Sequence, residues 1–366
     1  MSDTARGIVS LSRARAVRGA VAAALLLLAG AAGAAAPERR YTIAFANATE
    51  EPGVTVEGTG FTGAEIRQSF ILAARTLPID LVFYDNHGDD ARAIANAEAA
   101  IARKVDLYVQ YHRGSTGNAA VSQRMKAAGI PVLAVNEPVP GAPLYGLDNV
   151  AAGRIAGDAL AQFAGRTWPG QPTVAVVVGR VATNAERVQG VTEALRRHLR
   201  NVRVSSLETQ GNPAQVAPLL GPLLAAQPTS KVLIAATDDA TALAAKAAVE
   251  AAGRARDAAI VGHGVDRSIH GGFSDHKEID PANRASIVVG SVAFYLDRLG
   301  YQVLPLALRM LRGETVPART STPHKLITPA NVFAEYPPYD MSTEWSSARS
   351  AWFVVRPRIS VCAGFC

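Results

Sequence analysis

The chain has 366 residues, 37 Lys and Arg against 31 Asp and Glu, with 49% hydrophobic and 19% charged residues. At roughly 150 residues per domain this length points to two domains, and so apolar a composition excludes a disordered chain. A net charge of +6 with only two cysteines, Cys362 and Cys366, excludes a dense nucleic-acid footprint, a disulfide scaffold and a Cys-based zinc ribbon; a single long apolar run excludes a polytopic membrane protein.

The N-terminus reads as an address. Arg6, Arg13, Arg15 and Arg18 stand against Asp3, then Ala20–Ala29 is apolar and Gly30–Pro37 is built of small residues. This pattern predicts a secretory signal peptide over residues 1–35, cleaved after Ala34 or Ala35, because Pro37 directly after the cut would hinder a peptidase. A retained membrane anchor is the alternative, disfavoured by the Ala-rich run and its cleavable end. No Cys follows to carry a lipid, and no Arg-Arg pair supports the twin-arginine route.

From Tyr41 onward a short apolar run alternates with an amphipathic, Ala-rich stretch. Strands are predicted at Tyr41–Ala46, Asp80–Tyr84, Leu107–Gln110, Pro131–Val135, Thr173–Val178, Val202–Leu207, Val232–Ala235, Ala259–Val261 and Ile287–Ala293. Such short, nearly continuous apolar runs suit a parallel sheet covered by helices on both faces. Asp90–Arg103 and Gly117–Ala128 are among the helix formers between them. The alternation predicts a doubly wound α/β architecture, whose ligands bind beyond the carboxyl ends of the strands.

The residues at those ends therefore carry the functional weight. They are Asn47, Thr49, Glu50 and Glu51; Asp85, Asn86 and His87; Tyr111, His112 and Arg113; Asn136 and Glu137; Arg180 to Arg187; Thr237, Asp238 and Asp239; and His263 to Asp266. No G-x-G-x-x-G or G-x-x-x-x-G-K-[ST] stands at a strand-to-helix turn, so no nucleotide cofactor is expected. Amides, carboxylates and Arg forks supply both the donors and the acceptors that a neutral polyhydroxylated ligand needs.

Several blocks carry a resemblance: Ala128–Val135 with Tyr145–Gly157; Asn184-Ala-Glu-Arg187-Val-Gln-Gly190; Thr237-Asp238-Asp239 with Ile260-Val-Gly262; and Leu311–Pro317 with Ile327–Asn331. In this order and spacing, from about Tyr41 to Tyr336, the chain resembles the ribose-type periplasmic binding proteins of ABC transporters. These share a fold with the effector-binding halves of lactose-repressor-like regulators. The resemblance implies ligand roles for Arg187, Asn136, Glu137, Thr237, Asp238 and Asn47 or its neighbours. Three features depart from the family pattern. Gly264 stands where the family has an Asp, so that Asp266 either substitutes or does not. Phe294 stands where it has a Gln. The insertion Val54–Gly63 replaces a short aromatic turn.

Each candidate has a plainer alternative. Arg187 suits a helix surface as well as a ligand, and Asp148 and Asp238 suit N-caps of the Ala-rich helices they precede. Tyr111 and Phe294 suit either a core or a stacking face for a sugar ring. His112 and Arg113 suit a solvated loop. His263, His270, His276, Asp266 and Asp275 lie close in sequence, but without i, i+4 spacing or a thiolate no metal site is expected. Cys362 and Cys366 either close a small loop or lie in a loose extension.

The resulting expectation is a periplasmic binding protein of type I, with two doubly wound parallel-sheet lobes joined by a three-crossing hinge. The N-terminal lobe spans 41–147 plus 295–319 and the C-terminal lobe 148–294 plus 320–336, with 337–366 an extension. The expected ligand set is Asn47, Thr49, Tyr111, His112, Arg113, Asn136 and Glu137 on one wall, and Arg187, Thr237, Asp238, Asp266 and Phe294 on the other. The resemblance implies a monomeric periplasmic protein without cofactor, metal, catalysis or nucleic acid. It captures a sugar or polyol by hinge closure and delivers it to an inner-membrane ABC permease. A periplasmic sensor or chemoreceptor protein is the alternative. An exported metal-dependent enzyme ranks below it, since no G-x-S-x-G elbow is present.

Overall fold

The computed structural model describes residues 39–271 and 277–337. The expected signal peptide, Asp275, His276, Cys362 and Cys366 lie outside the described residues. The described chain forms two six-stranded sheets, each dominated by parallel pairs and flanked by helices.

The first sheet has the order β11-β5-β4-β3-β1-β2. Its strands are β1 (Tyr41–Asn47), β2 (Ile79–Asp85), β3 (Leu107–Gln110), β4 (Val132–Val135), β5 (Leu144–Gly146) and β11 (Arg319–Ser321). Three helices follow its first three strands: α1 (Gly63–Ala74), α2 (Asp90–Ala102) and α3 (Ser115–Ala127). Ile43 to Asn47 and Leu107 to Gln110 are buried throughout, as residues of a sheet covered on both faces must be.

The second sheet has the order β12-β10-β9-β8-β6-β7. It comprises β6 (Thr173–Gly179), β7 (Arg203–Glu208), β8 (Lys231–Ala236), β9 (Ala258–Gly264), β10 (Val288–Ala293) and β12 (Lys325–Ile327), the last antiparallel to β10. Its helices are α4 (Asn149–Thr167), α5 (Ala185–His198), α6 (Val216–Ala226) and α7 (Asp239–Ala251). A core of Val176, Val178, Val232, Ile234, Ile260, Leu220 and Val249 fills the space between sheet and helices.

The chain runs between the sheets three times. It leaves the first after β5 and enters α4. It leaves the second after β10 for α8 (Leu299–Leu311), which packs on α1: Gly300 N–H donates to Ser69 Oγ at 2.9 Å. It then runs through β11 of the first sheet to β12 of the second, before the short α9 (Val332–Glu335). β11 ends at Ser321, two residues past the 319 bound drawn from the sequence.

One imidazole touches all three crossings. His324, on the third, accepts from Asp148 N–H of the first at 3.1 Å through Nε2. Its Nδ1 lies 3.0 Å from the Ala293 carbonyl of the second. Because Nε2 accepts, the proton of the neutral ring sits on Nδ1 and is donated to that carbonyl. Burial lowers the basicity of this ring, which keeps it in the form that makes both bonds.

Candidate functional site

Arg187 is fixed by a close helix pair. A Cβ on Gly153 of α4 would stand 2.1 Å from the Arg187 carbonyl oxygen, and one on Gly190 of α5 would stand 2.1 Å from that of Val150. Only glycine at these positions lets α4 and α5 approach so closely. The contact brings Asn149, the first residue of α4, under the guanidinium. Arg187 Nη2 donates to Asn149 Oδ1 at 2.8 Å, and Nη1 donates to the Thr237 carbonyl. The side chain is 2% exposed, and its guanidinium lies 4.6 Å from the centre of the Phe294 ring. Burial pulls its pKa down to about 10, with the Asp238, Glu57 and Asp239 charges opposing; it is a cation at neutral pH.

Thus Phe294 serves as the platform for Arg187, and its edge also meets His324, with ring centres 5.2 Å apart. His263, on β9, directs Nδ1 at the Ala236 carbonyl at 2.7 Å, and its Nε2 is buried. Burial, then the Arg187 charge, lowers the His263 pKa to about 3. Asp238 acts as the N-cap of α7: Oδ1 accepts from Thr241 N–H at 2.8 Å, and Oδ2 accepts from the hydroxyls of Thr241 and Thr237. Asp148 caps α4 in the same way, accepting from Ala151 N–H at 2.9 Å.

On the other wall the group of Tyr111, Asn136 and Arg113 gathers around a residue outside the expected set, Glu57. The Tyr111 hydroxyl donates to Glu57 Oε1 at 2.5 Å, Asn136 Nδ2 donates to the same oxygen at 3.3 Å, and Arg113 Nη2 stands 3.7 Å from it. Burial, followed by the adjacent Glu57 charge, holds the Tyr111 phenol well above its ordinary pKa, so the hydroxyl remains a donor. Burial, then the Glu57 charge, also raises the carboxyl of Glu137. Asn136 takes a left-handed backbone at φ 58°, and its buried Oδ1 has no partner among the described residues.

Glu57 arrives on a small hairpin made by the inserted segment. Thr55 and Thr62 form an antiparallel bridge, and Val56 N–H donates to the Phe61 carbonyl at 2.9 Å. Thr59 N–H closes a turn on the Val56 carbonyl at 3.0 Å, with Glu57 and Gly58 at φ 54° and 66°. Two successive left-handed residues are the mark of a primed hairpin turn. Val56 and Phe61, each 3% exposed, bury the flanks. The capping box of α1 holds the root: Glu65 Oε2 accepts from Thr62 N–H, and Thr62 Oγ1 accepts from Glu65 N–H.

The tip of this hairpin reaches the second lobe. Gly60 N–H donates to Asp266 Oδ2 at 2.7 Å, while Asp266 Oδ1 accepts from Ser268 N–H at 2.8 Å. Arg267 and Glu65 face each other at 3.8 Å across the same junction. Beneath it, Asp239 Oδ2 accepts from Asp266 N–H at 2.9 Å and Oδ1 accepts from Ser291 Oγ at 2.6 Å. Burial, then the Asp266 charge, raises the Asp239 carboxyl well above its ordinary range.

The structure therefore brings Tyr111, Arg113, Asn136 and Glu137 together on one wall, and Arg187, Thr237 and Phe294 on the other, with Asp266 at the junction. Asn47 and Thr49 stand at the root of the hairpin. Asn47 Nδ2 donates to the Gly63 carbonyl at 2.8 Å, and Thr49 Oγ1 accepts from Glu51 N–H at 3.2 Å. His112 turns away from the cluster, its Nε2 lying 2.6 Å from Asp90 Oδ1 at the start of α2. His270 packs against the ring of Tyr336. A surface depression of about 380 Å³ lies on the second lobe between Phe163, Arg166, Asp280, Arg284 and Val288, and no candidate side chain lines it. Glu57, Asn149 and His324 were not among the expected ligand residues: Asn149 lay unremarked in the Tyr145–Gly157 block, and Glu57 lay unremarked within the Val54–Gly63 insertion.

A family model described as the periplasmic binding protein domain matches residues 26–315. The ribose import binding protein of Salmonella typhimurium is 27% identical over 261 residues, covering 69% of this chain and 82% of that protein. Two solved structures are similar in fold. An ABC transporter periplasmic solute-binding protein from Actinobacillus succinogenes with bound D-allose aligns with a TM-score of 0.61 at 18% identity, over 80% of this chain and 99% of its own. One from Bacillus halodurans with bound myo-inositol aligns with a TM-score of 0.60 at 18% identity, over 83% of this chain and 100% of its own.

Proposed function

We propose, since the chain belongs to the periplasmic binding protein domain family, that it captures a sugar or related polyol between its two lobes and hands it to an ABC permease. The observation that carries this reading is the pair of facing polar walls. Tyr111, Asn136 and Arg113 stand on one side and Arg187 over Phe294 on the other, on lobes linked by three chain crossings. Ligand contacts made on both walls are available only when the lobes are shut, so binding shifts the hinge towards closure. The N-terminal pattern of residues 1–35 supports delivery to the periplasm.

On this reading the walls bind without reacting. Asp238, a ligand candidate by sequence, is spent on the α7 cap. His263 is held neutral and fastened to a backbone carbonyl. The reading therefore has the solute captured and released unchanged.

Calorimetry of the mature protein against pentoses, hexoses and polyols tests it. A true ligand at a hundred times its Kd adds about 2.7 kcal/mol of stability, read as a rise in melting temperature. If no member of such a panel binds, or if the protein converts one of them, the reading fails.

A further inference from the structure

The inserted hairpin does more than fill space. Its Glu57 carboxylate sits between two side chains of one wall, Tyr111 and Asn136, and accepts a hydrogen bond from each, with Arg113 beside it. All three contacts fall on Oε1. The hairpin cannot swing freely, because Val56 and Phe61 are buried, the α1 capping box holds its root and Asp266 holds Gly60 at its tip. Glu57 also occupies a left-handed backbone position that ordinary side chains disfavour, held there by the turn and its buried flanks.

We propose that Glu57 is a specificity-determining residue of the cleft, accepting hydrogen bonds from solute hydroxyls and turning away anionic solutes. This rests on the reading of the cleft as the solute site. The chemistry follows from what the donor side chains leave undone, with Asn136 Oδ1 the other open acceptor of this wall. Arg187 and Arg113 only donate, and Tyr111 is spent as a donor on Glu57. The Arg187 fork is already committed to Asn149 and to the Thr237 carbonyl. A hydroxyl group must donate as well as accept, and a carboxylate held in place is the strongest acceptor for it. The same carboxylate, with Glu137 nearby, offsets the Arg113 and Arg187 charges that would otherwise draw in a uronate or a sugar phosphate; like charge placed against a competitor is a standard device for excluding it.

The test is titration calorimetry of wild type, Glu57→Gln and Glu57→Ala against D-ribose, D-xylose, D-galactose, glycerol and myo-inositol, together with D-galacturonate and ribose 5-phosphate. Wild type should bind a neutral member and discriminate against the anions. Glu57→Ala should weaken the best neutral ligand at least tenfold. Glu57→Gln, which keeps shape and one acceptor while removing the charge, should narrow the ratio of neutral to anionic affinity at least fivefold. A purely structural hairpin would not move that ratio. Unchanged affinities and an unchanged ratio in both variants overturn the proposal, as does tighter neutral binding in Glu57→Ala, which would make the carboxylate a stopper. If Glu57→Ala fails to fold, as judged by its ligand-free melting curve, the affinity ratio of the isosteric Gln variant decides the matter. If wild type binds no neutral solute in the set, the cleft reading and this proposal fall together.

Discussion

Lowering the pH should destabilise this protein through His263, and the size of the effect follows from the ring's surroundings. His263 is buried beside the Arg187 charge, and its pKa falls to about 3 from an unfolded value of 6.5. Between these values the unfolded chain takes up a proton that the folded chain refuses, so stability is intact above about pH 6.5 and declines as the pH falls. Each pH unit in that window costs about 1.4 kcal/mol, so lowering the pH to 5 removes about 2 kcal/mol through this ring alone. His270, lowered to about 4 by burial, and His324, also lowered by burial, act with the same sign. The buried carboxyls act in the opposite sense: Asp239 is raised by desolvation, so acid favours its protonated folded form. Comparison with His263→Gln separates these effects. Urea unfolding at pH 7 and at pH 5 should show wild type losing about 2 kcal/mol more than the variant. Equal losses in the two proteins would refute the assignment of a neutral, proton-refusing ring at this position.

Further outcomes follow from the geometry. Asp266→Ala removes the carboxylate that holds Gly60; a bond of this kind contributes about 1.5–3 kcal/mol, so the open population should rise about tenfold or more. Small-angle scattering, or energy transfer between dyes on the two lobes, would read the change. Gly153→Ala places a Cβ 2.1 Å from the Arg187 carbonyl oxygen and should cost about 1–3 kcal/mol by overpacking, against a gain in helix propensity of about 1 kcal/mol. A melting temperature above wild type would refute the close approach. Arg187→Ala strips Asn149 Oδ1 and the Thr237 carbonyl of their donor. It should lower stability by about 2–4 kcal/mol, beyond any loss of affinity; denaturant titration of the ligand-free variant reads this directly.

The sheets were legible because their central strands are short, nearly continuous apolar runs buried on both faces. Val232–Ala235 and Leu107–Gln110 read as strands from composition alone, and the structure places them at the centre of their sheets. β5, β11 and β12 were not legible. Each is three residues long, too short to show an alternation of period two. Asp238 was readable as a cap because an Asp before an Ala-rich run has few other roles. His112 was not readable in the same way: a polar loop residue looks alike whether it faces a cleft or a helix, and its pairing with Asp90 is a fact of tertiary packing. Phe294 illustrates the same limit. Its aromatic ring was visible, but its service as a bed for a guanidinium depends on α5 lying where the Gly153 and Gly190 contacts put it. Glu57 was hidden most deeply, since an insertion has no counterpart to compare with and its direction is set by a two-residue turn.

The bond from the Gly60 amide to Asp266 has a kinetic corollary. Because one partner belongs to each half of the molecule, the proposed cleft would be completed only as the halves meet. On that reading a solute arriving at the parted jaws would encounter no barrier from this contact. A solute leaving would wait until the amide lets go, so the bond would lengthen residence without slowing arrival, and affinity gained in this way would be stored in the off-rate.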